Sequence, residues 1–102
     1  MSREPEEKRI VHALEKRMLH KLRVNAHKPH WHGESIEYLL ERLREEVREV
    51  EDAIEDELSS DAVYDECADV ANIAAMIADL AWRTATQADQ AERGGPVKRV
   101  KP

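Results

Sequence analysis

The chain has 102 residues, 37% of them charged, and a formal net charge of −6. This length suits one small domain, and the acidity argues against nucleic acid as a partner, because proteins that bind it usually carry a basic face. The N-terminal residues contain no apolar signal core, and no stretch approaches the roughly 20 apolar residues of a membrane span. Cys67 is the single cysteine, which suits a reducing compartment. We therefore expect a cytoplasmic protein that binds neither nucleic acid nor membrane.

Apolar residues recur at helical spacing along most of the chain, and the composition favours helices over strands. The first predicted helix runs from about Pro5 to Val24. Its apolar residues recur at intervals of four, at Ile10, Leu14, Met18 and Leu22. The segment from Asn25 to Ser35 is predicted to be a loop, because Pro29 and Gly33 interrupt the helical pattern. Ser35 then offers an N-cap for the next helix.

The second predicted helix runs from about Ser35 to Leu58 and carries two rows of regularly spaced residues. The more regular row consists of Ile36, Leu40, Leu43, Val47, Val50 and Ile54. The neighbouring row contains Leu39, Glu46 and Ala53, with Glu49 at its edge. An acid therefore occupies a position where the pattern predicts an apolar residue.

A third predicted helix follows a short connection at Ser59 to Asp61, which also offers an N-cap, and it extends to about Ala91. Its narrow apolar stripe consists of Ile73, Met76 and Leu80, together with Glu66 and Asp69. Further apolar residues beside this stripe make the helix apolar over about half of its circumference. Two partner helices in one small chain would not cover that surface, so we expect a homo-oligomer. We expect the domain to span residues 1–93 and residues 94–102 to form a flexible tail.

Two pairs of acids should face each other in this arrangement. Glu46 and Glu49 lie on one face of the second helix, and Glu66 and Asp69 repeat their spacing on the third. A short connection makes these helices antiparallel, which places the pairs on opposite walls of one groove. Carboxylate oxygens suit Mg²⁺ or Mn²⁺, and such ions commonly bind substrate phosphates as well. The pattern therefore predicts metal-assisted hydrolysis of a phosphorylated molecule.

The same residues allow other interpretations. The acidic part of the second helix could be a solvated face that pairs with Arg42 and Arg48. The groove could instead hold a protein partner, which would make the chain a non-catalytic helical interaction module. A di-iron bundle would usually carry Glu-x-x-His, which this chain lacks. A zinc site at His27, His30 and His32 has no nearby ligand that would complete a tetrahedral set.

The segments RLREEVREVEDAI and DECADVANIAAMIAD resemble the MazG-like, all-α nucleoside triphosphate pyrophosphohydrolases. The family signature is E-x-x-E on one helix and E-x-x-D on the next. It is matched here by Glu46 and Glu49, and then by Glu66 and Asp69, with 16 residues between the pairs. The stretches HKPHW and SIEYLLERL are also similar to small members of the family, many of them encoded by phages. A phage origin would place the protein in the host cytoplasm.

The resemblance implies a helical bundle of three main helices per chain, with a four-helix core completed by a homodimer or homotetramer. It also implies hydrolysis of nucleoside or deoxynucleoside triphosphates between the α and β phosphates, giving a monophosphate and pyrophosphate. The residues that would hold Mg²⁺ are Glu46, Glu49, Glu66 and Asp69. Glu46 and Glu49 are the catalytic candidates, because one glutamate would orient the attacking water. Asn72 matches a family position that contacts ligand or metal.

Two residues of the predicted loop are candidates for substrate binding. Lys28 could contact a polyphosphate over the groove, or it could be an ordinary loop lysine. Trp31 could stack on a nucleobase, or it could pack the first helix against the second, which is the commoner kind of role for a single Trp. Arg42 shares a face with Glu46 and Glu49, and we expect it to orient them through a salt bridge.

Overall fold

The computed structural model describes residues 4–28 and 31–93, and these residues are helical apart from short connections. The elements are α1 (Glu4–Val24), a short 3₁₀ turn (Trp31–Gly33), α2 (Ile36–Glu55) and α3 (Ser60–Arg93). The predicted all-α class with three main helices is therefore confirmed for this part of the chain. The predicted tail at 94–102 lies outside the described residues. Within the described ranges, no helix is long and apolar enough to cross a membrane.

Serine side chains cap two of the helices where the sequence predicted caps. The Ser35 hydroxyl accepts a hydrogen bond from the Tyr38 backbone N–H at 3.1 Å. The Ser59 hydroxyl accepts one from the Ala62 N–H at 3.2 Å. Each bond satisfies a backbone donor that has no partner within its own helix, and these caps set the start of α2 and of α3.

The end of α2 differs from the prediction, because the helix stops at Glu55 rather than at Leu58. Glu57 has a φ of 54°, which is the left-handed conformation that ends many helices. Its N–H donates to the Ile54 carbonyl at 3.1 Å, and the Leu58 N–H donates to the Ala53 carbonyl at 3.0 Å. This hydrogen-bond pair is a Schellman motif, here with a glutamate where glycine is usual. The tight turn reverses the chain direction, so α3 packs antiparallel to α2.

α3 is the central helix of the chain, because it packs against both α1 and α2 and more extensively against α2. Its contact with α2 contains the core cluster of Leu39, Ile73 and Leu80. Partly buried residues pack around this cluster, namely Trp31, Ile36, Leu43, Met76 and Ile77. The core lies at one end of the hairpin, beyond the acids, and so fixes how the two acid-bearing helices face each other.

The row of α2 that faces α3 is the one that contains the acid. Leu39 is 3% exposed and Ala53 is 2% exposed, whereas Val47 and Ile54 of the more apolar row are 42% and 60% exposed. α3 covers only one side of α2, and the row of Leu39, Glu46 and Ala53 lies on that side. Glu46 is thus buried by its position, as the phase of the pattern predicted.

The chain is flat and leaves apolar surface uncovered. Its extents are 55 × 39 × 22 Å and its radius of gyration is 17.1 Å, against about 13 Å for a compact domain of this length. The large apolar residues left exposed are mainly on α1 and α2, rather than on α3 as the sequence suggested, because α3 has a helix on each side. They include Ile10, Val11, Leu19, Val47 and Ile54.

Arg17 fastens α1 to the start of α3. Its guanidinium lies 2.6 Å from Asp61 Oδ1 and 3.1 Å from Asp65 Oδ1, and it stands over the Tyr64 ring at 4.8 Å from the ring centroid. These contacts orient α1 so that the residues one turn further along, including Lys21, lie beside the acids of α3.

Candidate functional site

The turn between α2 and α3 sets the register of the acid pairs. Glu49 lies six residues before the end of α2 at Glu55, and Glu66 lies six residues after the start of α3 at Ser60. Glu46 and Asp69 are each nine residues from the same ends. Residues equally distant from the turn of an antiparallel hairpin face each other. The two pairs therefore meet across the interface, as the sequence predicted.

Three of these acids converge closely. One carboxylate oxygen from each of Glu46, Glu66 and Asp69 lies within 4.8 Å of the others. Two oxygens on opposite sides of a Mg²⁺ ion are about 4.2 Å apart, since each bond is about 2.1 Å. The observed spacing is close to that of oxygens sharing one cation. Among the residues that the structure describes, this triad is the group of potential metal ligands that converges in this way.

Glu49 occupies the outer edge of the same cluster and is exposed. The pKa of its carboxyl is raised, first by hydrogen bonding with the Glu66 carboxyl, then by partial burial and by the negative charge of Glu66. We call Glu46, Glu49, Glu66 and Asp69 the acid quartet. Three of its members form a close group, and the fourth, Glu49, is exposed to solvent.

Glu46 is the most deeply buried member, at 8% exposed. Burial raises the pKa of its carboxyl, a tendency that the Arg42 guanidinium opposes and that Glu49 and Asp69 reinforce. Arg42 Nη2 lies 3.1 Å from Glu46 Oε1, which confirms the predicted salt bridge to this acid.

The buried oxygens of the quartet are the evidence that it fits a cation. Oε2 of Glu46 and Oε2 of Glu66 are both buried and have no hydrogen-bond partner among the described residues. A buried carboxylate oxygen without a partner is costly. A divalent cation would satisfy both oxygens, and no hydrogen-bond donor within residues 4–28 and 31–93 does so.

α1 contributes Lys21 to the site, which sequence reasoning missed, and it also holds Asn72 of α3 in place. Lys21 Nζ lies 3.1 Å from Asp69 Oδ2. Asn72, which is 6% exposed, uses its side-chain N–H₂ group to donate to the Met18 carbonyl of α1 at 3.2 Å. Its Oδ1 is buried and has no partner among the described residues. Lys21 follows Met18 by three positions, so it shares the face of α1 that meets α3, and that spacing was the available signal.

A cavity of about 660 Å³ opens beside the quartet, within the usual range of ligand sites. Its lining includes Glu46 and Asp69. Three cationic residues line it as well, namely Lys21, Lys28 and Arg42. The remainder of the wall includes Trp31, Tyr38, Asn72 and Met76. All of the predicted substrate-binding residues therefore lie on one cavity, together with two of the predicted metal ligands.

Trp31 is held in place by α3. Its indole N–H donates to Asp79 Oδ2 at 2.9 Å, and its ring packs against the core cluster. Arg83 Nε lies 2.8 Å and His32 Nε2 lies 3.4 Å from the same oxygen. The hydrogen bonds from Arg83 and then from Trp31 lower the pKa of Asp79. Trp31 thus joins the 3₁₀ turn to α3.

The raised pKa values of Glu46 and Glu49 predict an unusual pH dependence of stability. The folded protein binds protons at these carboxyls more tightly than the unfolded chain, so its free energy of unfolding decreases as pH rises above the ordinary glutamate pKa of 4.5 and through the raised values. Glu49→Gln should therefore raise the melting temperature in EDTA at pH 7 and flatten its dependence on pH. Melting curves followed by circular dichroism between about pH 4.5 and 7.5 would measure this, with Glu51→Gln on the exposed side of α2 as control. A lower melting temperature for Glu49→Gln at pH 7 would contradict the prediction.

Comparison with known proteins gives no further identification. No family model matches the chain, and neither a curated protein nor a solved structure does so. The resemblance to MazG-like enzymes therefore rests on the motifs in the sequence. The structure adds the geometry of those motifs, which is an acid quartet on two antiparallel helices beside a cavity with cationic side chains.

Proposed function

We propose that this protein is a Mg²⁺-dependent nucleotide pyrophosphohydrolase. It would cleave nucleoside or deoxynucleoside triphosphates between the α and β phosphates, releasing the monophosphate and pyrophosphate. The observation that carries the proposal is the convergence of Glu46, Glu66 and Asp69 beside a cavity that also presents cationic side chains. The resemblance of the two motifs to MazG-like enzymes supports the same reaction. A cytoplasmic location, in a phage host if the gene is a phage gene, would supply these substrates.

The charge distribution favours a polyphosphate over a simple cation or a simple anion. A phosphate chain carries several negative charges, so acids can bind it only through divalent cations. Lysine and arginine side chains can contact its other oxygens directly. The cavity offers both kinds of wall, with Glu46 and Asp69 near Lys28 and Arg42. Its volume of about 660 Å³ is suitable for a molecule the size of a nucleotide.

The residues divide into distinct roles in this proposal. Glu46, Glu66 and Asp69 would hold the metal, and Glu49 at the exposed edge would complete the quartet and orient the attacking water. Bound Mg²⁺ supplies neutralisation of phosphate charge and a lower pKa for water. Arg42 opposes the effect of burial on the Glu46 pKa and holds one oxygen of this carboxyl group.

The other residues that line the cavity would bind the remainder of the substrate. Lys28 would contact the phosphates and Trp31 the base. Asn72 would present its buried Oδ1 to ligand or metal, while its N–H₂ group keeps its hydrogen bond to the Met18 carbonyl of α1.

We also propose that the working unit is a dimer or tetramer in which a second copy completes a four-helix core. The apolar residues exposed on α1 and α2, such as Val11 at 65% and Ile54 at 60%, support this assembly. Few apolar residues are fully buried within one chain, so burial of this surface would add substantially to stability. Light scattering coupled to gel filtration would measure the mass of the assembly.

The reaction itself is tested by pyrophosphate release from a panel of ribonucleoside and deoxynucleoside triphosphates, with Mg²⁺ or with EDTA. Release is expected only with the metal, and Glu49→Gln should reduce it by about 10²–10⁴, the range for removing a group that positions or deprotonates water. Glu51→Gln should retain wild-type release. Activity that survives in Glu49→Gln or in EDTA would refute the assignment, since it would come from a contaminant or from another site.

A non-catalytic interaction module is the second candidate, and the exposed apolar residues of α1 and α2 favour it. In that case a protein partner would cover this surface and contact the acidic groove. The module predicts no effect of Mg²⁺ on thermal stability, because the quartet would then bind a partner rather than a metal. The melting temperature of the wild-type protein in Mg²⁺ and in EDTA therefore separates the two candidates.

A further inference from the structure

Lys21 lies between the acid quartet and the cavity, although it belongs to α1 rather than to a helix that carries the acids. The Lys21 and Asp69 side chains are 28% and 26% exposed, and their charged atoms are 3.1 Å apart. Burial lowers the pKa of Lys21, but the hydrogen bond and charge of Asp69, with the charges of Asp65 and Glu66, outweigh it and raise the pKa. The ammonium is thus charged at neutral pH and holds one oxygen of a proposed metal ligand.

We propose that Lys21 exchanges partners, neutralising Asp69 in the metal-free protein and contacting the polyphosphate once divalent cations occupy the quartet. This inference rests on the proposed function, because it requires a cation at the acids and a phosphate chain in the cavity. Lys21 and Asp69 both line that cavity. The lysine stem has four flexible carbons, so the ammonium can turn from one partner to the other while α1 stays in place.

Charge balance explains why the exchange should accompany substrate binding. The ionised quartet carries four negative charges, and Arg42 and Lys21 supply two positive ones through their contacts with Glu46 and Asp69. One divalent cation neutralises the remaining two charges. Any further cation leaves an excess of positive charge, which the phosphate oxygens would balance. The Lys21 ammonium then moves away from the cations and toward those oxygens.

The fit of a cation at the quartet has support that does not involve Lys21. Glu46 is 8% exposed, and its Oε2 is buried without a hydrogen-bond partner among the described residues. Arg42 already holds the other oxygen of this carboxylate. Lys21 contacts Asp69 rather than Glu46, so it competes with a metal for only part of the quartet. It should therefore tune metal affinity without preventing metal binding.

Calorimetric titration of Lys21→Met tests the two halves of the proposal. The variant is expected to bind Mg²⁺ alone about fivefold more tightly, since a competing ion pair is removed. At saturating Mg²⁺ it should bind inorganic tripolyphosphate about tenfold more weakly, since a charge-assisted contact is lost. Lys21→Arg should restore the affinity for tripolyphosphate, and Lys16→Met on the exposed side of α1 should match the wild type in both titrations. Unchanged or weaker Mg²⁺ binding by Lys21→Met, or unchanged binding of tripolyphosphate, would overturn the proposal.

The wild-type protein provides a measurement that needs no variant to fold. The ¹⁵N resonance of the Lys21 ammonium should shift when Mg²⁺ is added, as the contact with Asp69 is lost, and shift again when tripolyphosphate is added. A resonance that stays fixed through both additions would show that Lys21 keeps its partner, and the inference would be wrong.

The failure of this inference can be told apart from failure of the proposed function. Pyrophosphate release by the wild type, combined with wild-type affinities in Lys21→Met, would remove only the role of Lys21. The expected shifts in both affinities without pyrophosphate release from any nucleotide would uphold the exchange of partners and remove the hydrolase assignment.

Discussion

Magnesium is expected to raise the melting temperature of the wild-type protein by roughly 10–20 °C at a concentration one hundredfold above its Kd. A ligand that binds only the folded state stabilises it by about 2.7 kcal/mol at that excess. Each kcal/mol shifts the melting temperature of a domain of about 100 residues by roughly 4–8 °C. Mg²⁺ is expected to bind only the folded state, because the triad combines Glu46 of α2 with Glu66 and Asp69 of α3. Differential scanning calorimetry in Mg²⁺ and in EDTA, at a fixed protein concentration, would measure the shift.

Two variants make this experiment specific for the quartet. Glu66→Gln replaces a carboxylate whose Oε2 is buried and has no hydrogen-bond partner in the part of the chain that the structure describes, so most of the shift should disappear. Glu51→Gln removes an acid from the exposed side of α2 and should keep the full shift. An equal shift in Glu66→Gln would place the metal elsewhere. The absence of any shift in the wild type would favour the interaction module.

Leu39→Ala is expected to lower the free energy of unfolding by about 2–4 kcal/mol, the usual cost of removing a buried leucine side chain. Leu39 is 3% exposed and belongs to the cluster with Ile73 and Leu80. The melting temperature should fall by roughly 10–30 °C. The loss is large for this chain because few apolar side chains are fully buried, so the remaining core cannot replace the missing contacts. Urea unfolding followed by circular dichroism would measure it.

Ile54→Ala is the matched comparison, because Ile54 belongs to the same helix but is 60% exposed. In a single chain this substitution should cost less than about 1 kcal/mol, since little apolar contact is lost. A loss as large as that of Leu39→Ala would mean that another copy covers this row, and it would depend on protein concentration. The comparison therefore reports separately on the core within the chain and on the surface proposed for assembly.

The acid quartet should reduce the stability of the metal-free fold while it supplies the proposed chemistry. Glu46 lies at a core position, and its pKa is raised chiefly by burial. The pKa of Glu49 is raised as well. Glu49→Gln should therefore be more stable than the wild type without metal, and it should lose most of its activity. A stable, inactive variant would show that the loss of activity is chemical rather than a result of unfolding.

Local patterns in the sequence were sufficient to predict the helices, two of their caps and the spacing of the acids. Ser35 and Ser59 cap their helices through bonds to residues three positions away, and a local pattern is sufficient to predict such bonds. The phase of Glu46 within the apolar rows predicted its burial, because helical periodicity fixes where each residue lies around its own axis. The short connection then predicted that the acid pairs would face each other.

The packing of the helices determines which faces meet and which residues from distant segments join the site. Periodicity gave two apolar rows on α2, and the packing of α3 selected the one that contains Leu39. Lys21 reaches Asp69 and Trp31 reaches Asp79 across 48 residues of sequence. No local pattern encodes such pairs, because they depend on how α1 and the 3₁₀ turn pack against α3. The candidate metal ligands, and Lys28 and Arg42 beside them, could therefore be predicted from the sequence, whereas the contact of Lys21 with Asp69 appeared only when the helices were assembled.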